Sequence, residues 1–326
     1  MLRPLLKVDD LCVHFHTAQG IGTAVDHAGF SLGEGDSLGI VGESGCGKSV
    51  TAMSILGLID SPPGKITSGS IRFKNRELLK LTPEELRNIR GKEISMIFQE
   101  PMTSLNPVLT IGRQVAEPLM NHRGFSKSAA YDSAADWLDR VKMPDARTRL
   151  KDYPHQLSGG MRQRVMIAMA MICKPSLLIA DEPTTALDVS IQSQILGLMS
   201  QLKQDLGMSL LLITHDLGVI AQMVRRVAVM YAGQVVETAA VAELFDRPFH
   251  PYTKGLLKSI PKLGGRATGR VQRLYEIKGT VPSFLQTTQG CKFSDRCPEA
   301  FDICRRQQPA LREIRERRRV RCWLGT

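Results

Sequence analysis

From residue 3 to residue 40, apolar and polar positions alternate in short runs broken by turns such as "GEGD". That is the pattern of half-buried antiparallel strands. Residues 83–173 change period. "TPEELRNIR", "IGRQVAEPLMNH", "SKSAAYDSAADWLDRV" and the run after "LSGG" repeat their apolar positions at helical spacing, with Pro107 and Pro144 as punctuation. After "SLLIADE", apolar strands and amphipathic helices alternate: "IQSQILGLMSQLKQ", "SLLLIT", "LGVIAQMV", "RVAVMYAG". Continuous apolar strands between helices predict a mainly parallel sheet covered on both faces. The expected fold class is α/β, with an antiparallel β portion at the N-terminus and a helical subdomain over about 100–173.

Composition adds bounds. The 326 residues are 43% hydrophobic and 23% charged, ordinary values for a globular protein long enough for more than one domain. No apolar run reaches the roughly 18 residues of a membrane helix. "MLRPLLKVDD" turns acidic too soon for a signal peptide, so a cytosolic or peripheral protein is expected. The net charge of +11 is unevenly placed. From Arg247 onward there are 18 basic and 6 acidic residues, whereas residues 1–246 hold 25 and 26. A boundary near Pro248 therefore divides a domain of 1–246 from an extension of 247–326. A basic extension can face anionic lipid, nucleic acid, or an anionic centre of its own.

Candidate chemistry begins at "DSLGIVGESGCGKSVTAMSILGLI", a strand, a glycine-rich loop and a helix. Gly42-Glu43-Ser44-Gly45-Cys46-Gly47-Lys48-Ser49 is a complete phosphate-loop pattern in its required context. Its backbone N–H groups close around the α- and β-phosphates, Lys48 reaches the β- and γ-phosphates, and the Ser49 hydroxyl ligates Mg²⁺. "SLLIADEP" ends a buried strand on two carboxylates. Asp181 is placed to hold Mg²⁺ and Glu182 to take a proton from the water attacking the γ-phosphate. These parts make a nucleotide triphosphatase.

A second anion site lies in "HQLSGGMRQRVMIAMAM". Ser158, Gly159 and Gly160 precede a helix whose first N–H groups and dipole favour negative charge. "LSGGM" between the two nucleotide motifs resembles the signature of the ATP-binding cassette (ABC) ATPases, and the resemblance covers residues 4–246. It implies a P-loop cassette fold. It also implies a Q-loop glutamine at Gln99 in "ISMIFQEP", near Mg²⁺ and catalysis, and a D-loop ending at Asp188 in "TTALD". His215 in "LLLITHD" becomes the switch histidine on the γ-phosphate, and Phe15 in "LCVHFH" the aromatic that stacks on adenine. In this family two cassettes pack head to tail, so Ser158, Gly159 and Gly160 would contact ATP held by a partner.

"FHPYTKGLLKSIP", at 249–261, resembles the extension of oligopeptide, dipeptide and nickel importer ATPases, with the dipeptide/oligopeptide branch nearest. The implied protein is the ATP-hydrolysing subunit of a bacterial peptide importer, peripheral on the cytoplasmic face of the inner membrane. Its implied partners are a second related ATPase, two permease subunits and an extracytoplasmic solute-binding protein. Uptake of nickel or another small solute is the alternative within the subfamily. Action on nucleic acid or ribosomes is a more distant one, and no nucleic acid partner is expected. One departure from the family is Cys46, where serine is commoner.

Four of the seven cysteines, Cys291, Cys297, Cys304 and Cys322, fall in the basic tail. Four thiols in a reducing compartment suggest a metal site, and their neighbours Lys292, Arg296, Arg305 and Arg321 predict lowered thiol pKa values. The spacing lacks the Cys-x-x-Cys knuckle of common zinc modules. Resemblance to those peptide-importer ATPases that carry a 4Fe–4S cluster on such a tail implies one here, with Zn²⁺ or unmetallated thiols as the alternatives.

Overall fold

The computed structural model describes residues 4–99, 104–185, 187–260, 275–286 and 288–325. Parts of the Q-loop and D-loop stretches and residues 261–274 of the extension lie outside them. The chain divides into two compact units.

The first unit is mainly Arg76–Ile213. Its strands Ile94–Ile97, Leu177–Asp181 and Ser209–Ile213 pair in parallel, Ile94 opposite Leu177 and Leu177 opposite Ser209. Every residue of the second and third strands is buried, as continuous apolar runs require in a sheet covered on both faces. The helix Pro83–Ile89 starts at a full capping box, with Thr82 accepting from the Glu85 N–H and the Glu85 carboxylate reaching back to the Thr82 N–H. The helices Ile111–Arg123 and Lys127–Arg140 pack on each other and on Gly159–Met171. Ala130, Ala134, Trp137 and Leu138 form the inner stripe of the second of these, at the i, i+4, i+7, i+8 spacing of an amphipathic helix. The last helix, Val189–Leu206, lies against Gly159–Met171 and ends at Gly207.

The second unit comprises Leu6–Ser31, Leu38–Asn75 and Thr214–Thr326. Its N-terminal sheet is antiparallel. The strand Leu6–Thr17 pairs with Gly64–Phe73, from Leu6 opposite Phe73 to Phe15 opposite Gly64, and lies beside Gly20–Leu32. Elsewhere in the unit the expected mainly parallel order gives way to a mixed sheet. Leu38–Val41 runs parallel to Arg226–Tyr231, but that strand turns straight back into Gln234–Ala240. The cause is local. Ala232 and Gly233 both take positive φ, 45° and 84°, the conformation of a tight two-residue hairpin.

The C-terminal extension continues this sheet. The strand Arg318–Val320 pairs antiparallel with Gln234–Ala240, and Arg312–Arg315 pairs with it in turn. A buried ion pair secures the junction. The Glu237 carboxylate, fully buried, accepts from Arg318 at 3.0 Å and from the Phe249 and His250 N–H groups at 2.9 and 2.8 Å. Three donor groups satisfying one buried carboxylate offset the cost of removing it from water.

Candidate nucleotide and thiol sites

The phosphate loop belongs to the second unit. The buried strand Ser37–Val41 delivers Gly42, and the helix Lys48–Leu56 follows with Gly47 as its N-cap at φ 96°. Glycine is required by crowding as well as by φ. A Cβ on Gly42 would stand 2.1 Å from the Met230 carbonyl oxygen, and one on Gly47 2.3 Å from that of Ala24. Lys48 is 5% exposed, and its ammonium donates to the carbonyls of Gly42 at 2.9 Å and Glu43 at 3.1 Å. The charge is thus held at the loop, where phosphate oxygens are the natural competing acceptors. Cys46 is buried beneath the loop, and burial pushes its thiol pKa up. Ser49 is half-buried in the first helical turn, while Ser44 and Gly45 are exposed.

In the same unit His215 is exposed, one residue before Asp216, whose carboxylate caps the helix Leu217–Met223. Phe15 is half-buried opposite Gly64. A Cβ on Gly64 would meet the edge of the Phe15 ring at 3.0 Å.

In the first unit Asp181 ends its strand at 2% exposure, and Glu182 follows at 9%. Glu182 has φ 45°, an uncommon conformation for a side-chain-bearing residue, and its N–H donates to Ile213 O at 2.8 Å. Its carboxylate accepts from the Gln99 amide at 3.1 Å and from the Thr185 hydroxyl at 2.9 Å. The structure therefore brings Gln99 and Glu182 together. It also adds Thr185, which the sequence reading did not single out; the only available signal was a hydroxyl three residues beyond the carboxylate.

The signature and the D-loop meet as well. Ser158 is the exposed N-cap of Gly159–Met171, and its Oγ accepts the Met161 N–H at 3.4 Å. Asp188 is the exposed N-cap of Val189–Leu206 and accepts the Ile191 N–H at 2.9 Å. The two caps sit side by side, since a Cβ on Gly160 would meet Ile191 at 3.0 Å and one on Gly159 would meet Leu187 at 3.6 Å. Capping uses an oxygen lone pair of Ser158, so its hydroxyl proton remains available for a phosphate oxygen.

The four tail cysteines return to one another in the second unit. The Cys291 N–H donates to Cys304 O at 2.7 Å, locking two of the loops together. Cys304 is buried, and the other three are half-buried. The expectation of lowered thiol pKa values is overturned. Burial pushes Cys291 up to about 11, and Cys322, Cys304 and Cys297 close by add to the rise. Burial raises Cys297 and Cys322 in the same way. Three of the four basic neighbours are committed elsewhere. Lys292 pairs with Asp26 at 2.8 Å, Arg296 with Glu43 at 2.9 Å, and Arg321 donates to the carbonyls of Val235, Pro309 and His27. Among the described residues, no three of these sulfurs lie within 4.8 Å of one another.

A profile of the family described as ABC transporter matches residues 25–185, and one described as oligopeptide/dipeptide transporter, C-terminal region, matches residues 236–304. The chain is 51% identical to the oligopeptide transport ATP-binding protein AppD of Bacillus subtilis, covering 98% of this chain and 96% of that one. It is 50% identical to the oligopeptide transport ATP-binding protein OppD of Salmonella typhimurium, covering 94% and 89%. Among solved structures it is similar to the dimeric ATP-binding cassette MJ0796 in a post-hydrolysis state bound to ADP and Pi. That match has a TM-score of 0.65 and 29% identity, covering 72% of this chain and 98% of that one.

Proposed function

This chain belongs to the ABC transporter ATPases, and from that premise we propose that it powers the uptake of short peptides through partner permease subunits. It is an ATP-hydrolysing subunit of a peptide ABC importer. The observation that carries this reading is one continuous chain holding an intact phosphate loop and catalytic carboxylates together with the oligopeptide/dipeptide C-terminal region.

The residues divide the labour as follows. Lys48 and the loop N–H groups hold the phosphates of ATP. A serine hydroxyl, a buried carboxylate and an amide oxygen are hard donors suited to Mg²⁺, so Ser49, Asp181 and Gln99 would hold it. Bound Mg²⁺ neutralises charge on the phosphates. Glu182, oriented by Gln99 and Thr185, takes the proton of the attacking water. His215 holds the γ-phosphate, and Phe15 offers its ring to adenine. Ser158, Gly159 and Gly160, beside Asp188, face ATP on a second, related ATPase subunit. Hydrolysis removes the phosphate that both subunits hold, so the pair closes with ATP and opens after turnover. No helix of the described residues is long and apolar enough to cross a membrane. We place the subunit on the cytoplasmic face of the bacterial inner membrane, beside two permeases served by an extracytoplasmic solute-binding protein.

Uptake of a labelled tripeptide by cells carrying the whole transporter is expected to be lost when Lys48→Ala replaces the native subunit. Retained peptide uptake together with lost nickel uptake would transfer the assignment to nickel.

The four tail thiols fit an iron–sulfur cluster. All four are partly or fully buried, and four thiolates are the donor set such a cluster takes, with Zn²⁺ the alternative. Cys291, Cys297, Cys304 and Cys322 would hold the cluster, which supplies cross-links to an extension with few core residues of its own. Anaerobic purification is expected to give iron and sulfide at four each per chain and a brown colour. Because Cys291, Cys297 and Cys322 must lose protons held by raised pKa values, loading should weaken as pH falls. A colourless protein with stoichiometric zinc overturns the cluster.

A further inference from the structure

The phosphate loop is held from outside itself, by the C-terminal extension. Each polar group of Glu43, the second residue of the loop, has a separate partner. Its carbonyl oxygen accepts from Lys48 at 3.1 Å, and its N–H donates to the Tyr252 hydroxyl at 3.0 Å. Its carboxylate takes a two-pronged contact from Arg296, Nη1 to Oε2 at 2.9 Å and Nη2 to Oε1 at 3.2 Å. Tyr252 and Arg296 both come from the extension, 209 and 253 residues along the chain.

Arg296 is itself immobilised. Its side chain is 7% exposed. Its Nε donates to Lys278 O at 3.1 Å, Nη2 also to Ile277 O at 3.2 Å, and Nη1 also to the Tyr231 hydroxyl at 3.4 Å. All five guanidinium protons therefore have acceptors, and the planar fork cannot swing without losing several of them. The stretch carrying it is anchored by Phe293, 2% exposed, whose ring meets those of Tyr231 and Tyr252 at centroid distances of 5.2 and 5.4 Å. The residue after Arg296 is Cys297, one of the four thiols.

We propose that Arg296 and Tyr252 form a clasp on Glu43 that sets the conformation of the phosphate loop, making Arg296 a positioning residue for nucleotide binding. The clasp fixes the Glu43 peptide, and with it the carbonyl that holds the Lys48 ammonium. Both act on Glu43, and their effect is preorganisation of the loop. The proposal rests on the loop being the ATP site.

The test measures ATP affinity and steady-state hydrolysis in the assembled transporter, with metal content as a control on the extension. Arg296→Ala is expected to raise the ATP dissociation constant and KM about tenfold while kcat falls less than twofold, with metal content unchanged. Arg296→Lys, which keeps the charge and loses the fork, should fall between it and the native chain. Glu43→Gln changes no residue of the extension and should weaken ATP severalfold. The double variant Glu43→Gln/Arg296→Ala should lose no more than the worse single one, because both break the same contact. Should Arg296→Ala lose its metal, Glu43→Gln decides. Native KM for ATP in Glu43→Gln, or additive losses in the double variant, overturns the clasp. Lys48→Ala separates the premise: undiminished ATP binding there removes the loop reading and the clasp together, whereas a weakened Lys48→Ala beside native Arg296→Ala and Glu43→Gln removes the clasp alone.

Discussion

Glu182→Gln is expected to bind ATP like the native chain and to lose about 10²- to 10⁴-fold in turnover, the usual contribution of a positioned general base. The geometry makes the substitution clean. Glutamine keeps the length of the side chain and one carbonyl oxygen to accept from Gln99 and Thr185, which now stand 3.1 and 2.9 Å from the carboxylate. What it removes is the capacity to take a proton. With ATP bound and not hydrolysed, the pair of ATPase subunits should accumulate in its closed state. Single-turnover hydrolysis and equilibrium nucleotide binding, measured on the same preparation, read the two effects separately. Near-native turnover would dismiss Glu182 as the base.

Ser158→Arg should abolish transport while leaving ATP binding at this chain's own phosphate loop within about twofold of native. The side chain is exposed at a helix start, so arginine is accommodated without a core clash, and the folding loss is that of an N-cap, about 1 kcal/mol. The functional loss is larger because a long cation replaces the small donor that would face the partner's γ-phosphate. Ser158→Ala is the control: it forfeits the same cap without the bulk, and should retain part of the transport. Disappearance of this chain's own ATP binding in Ser158→Arg, with the partner site intact, would refute the head-to-tail arrangement.

Much of this site is written in local sequence. The phosphate loop is contiguous, and each of its residues is dictated by a nearby constraint. Gly42 and Gly47 admit no Cβ, and Lys48 reaches back only five or six residues to its carbonyl partners. The buried strand ending at Asp181 and the helix caps Ser158 and Asp188 are equally local, since each cap bonds an N–H three residues on. Period and motif spacing capture such features because the groups that cause them lie within one or two turns of chain.

The tail shows where that reasoning stops. Its basic residues stand next to the cysteines in sequence and suggested thiolates stabilised by charge. In the fold, Lys292 pairs with Asp26 and Arg296 with Glu43, and burial raises the thiols instead. Adjacent residues on an irregular loop need not point the same way, so sequence proximity says little about whose charge a thiol feels. The mixed sheet has a similar origin: Arg312–Arg315 and Arg318–Val320 joined an edge that only the hairpin at Ala232–Gly233 exposes. The sequence by itself determined the nucleotide chemistry, the family and the element order of the cassette, because those depend on contacts close along the chain. Tertiary structure alone decided that the Gln99 amide, 83 residues away, meets Glu182, and that an arginine 253 residues away holds the phosphate loop, because each depends on where folding aims a side chain.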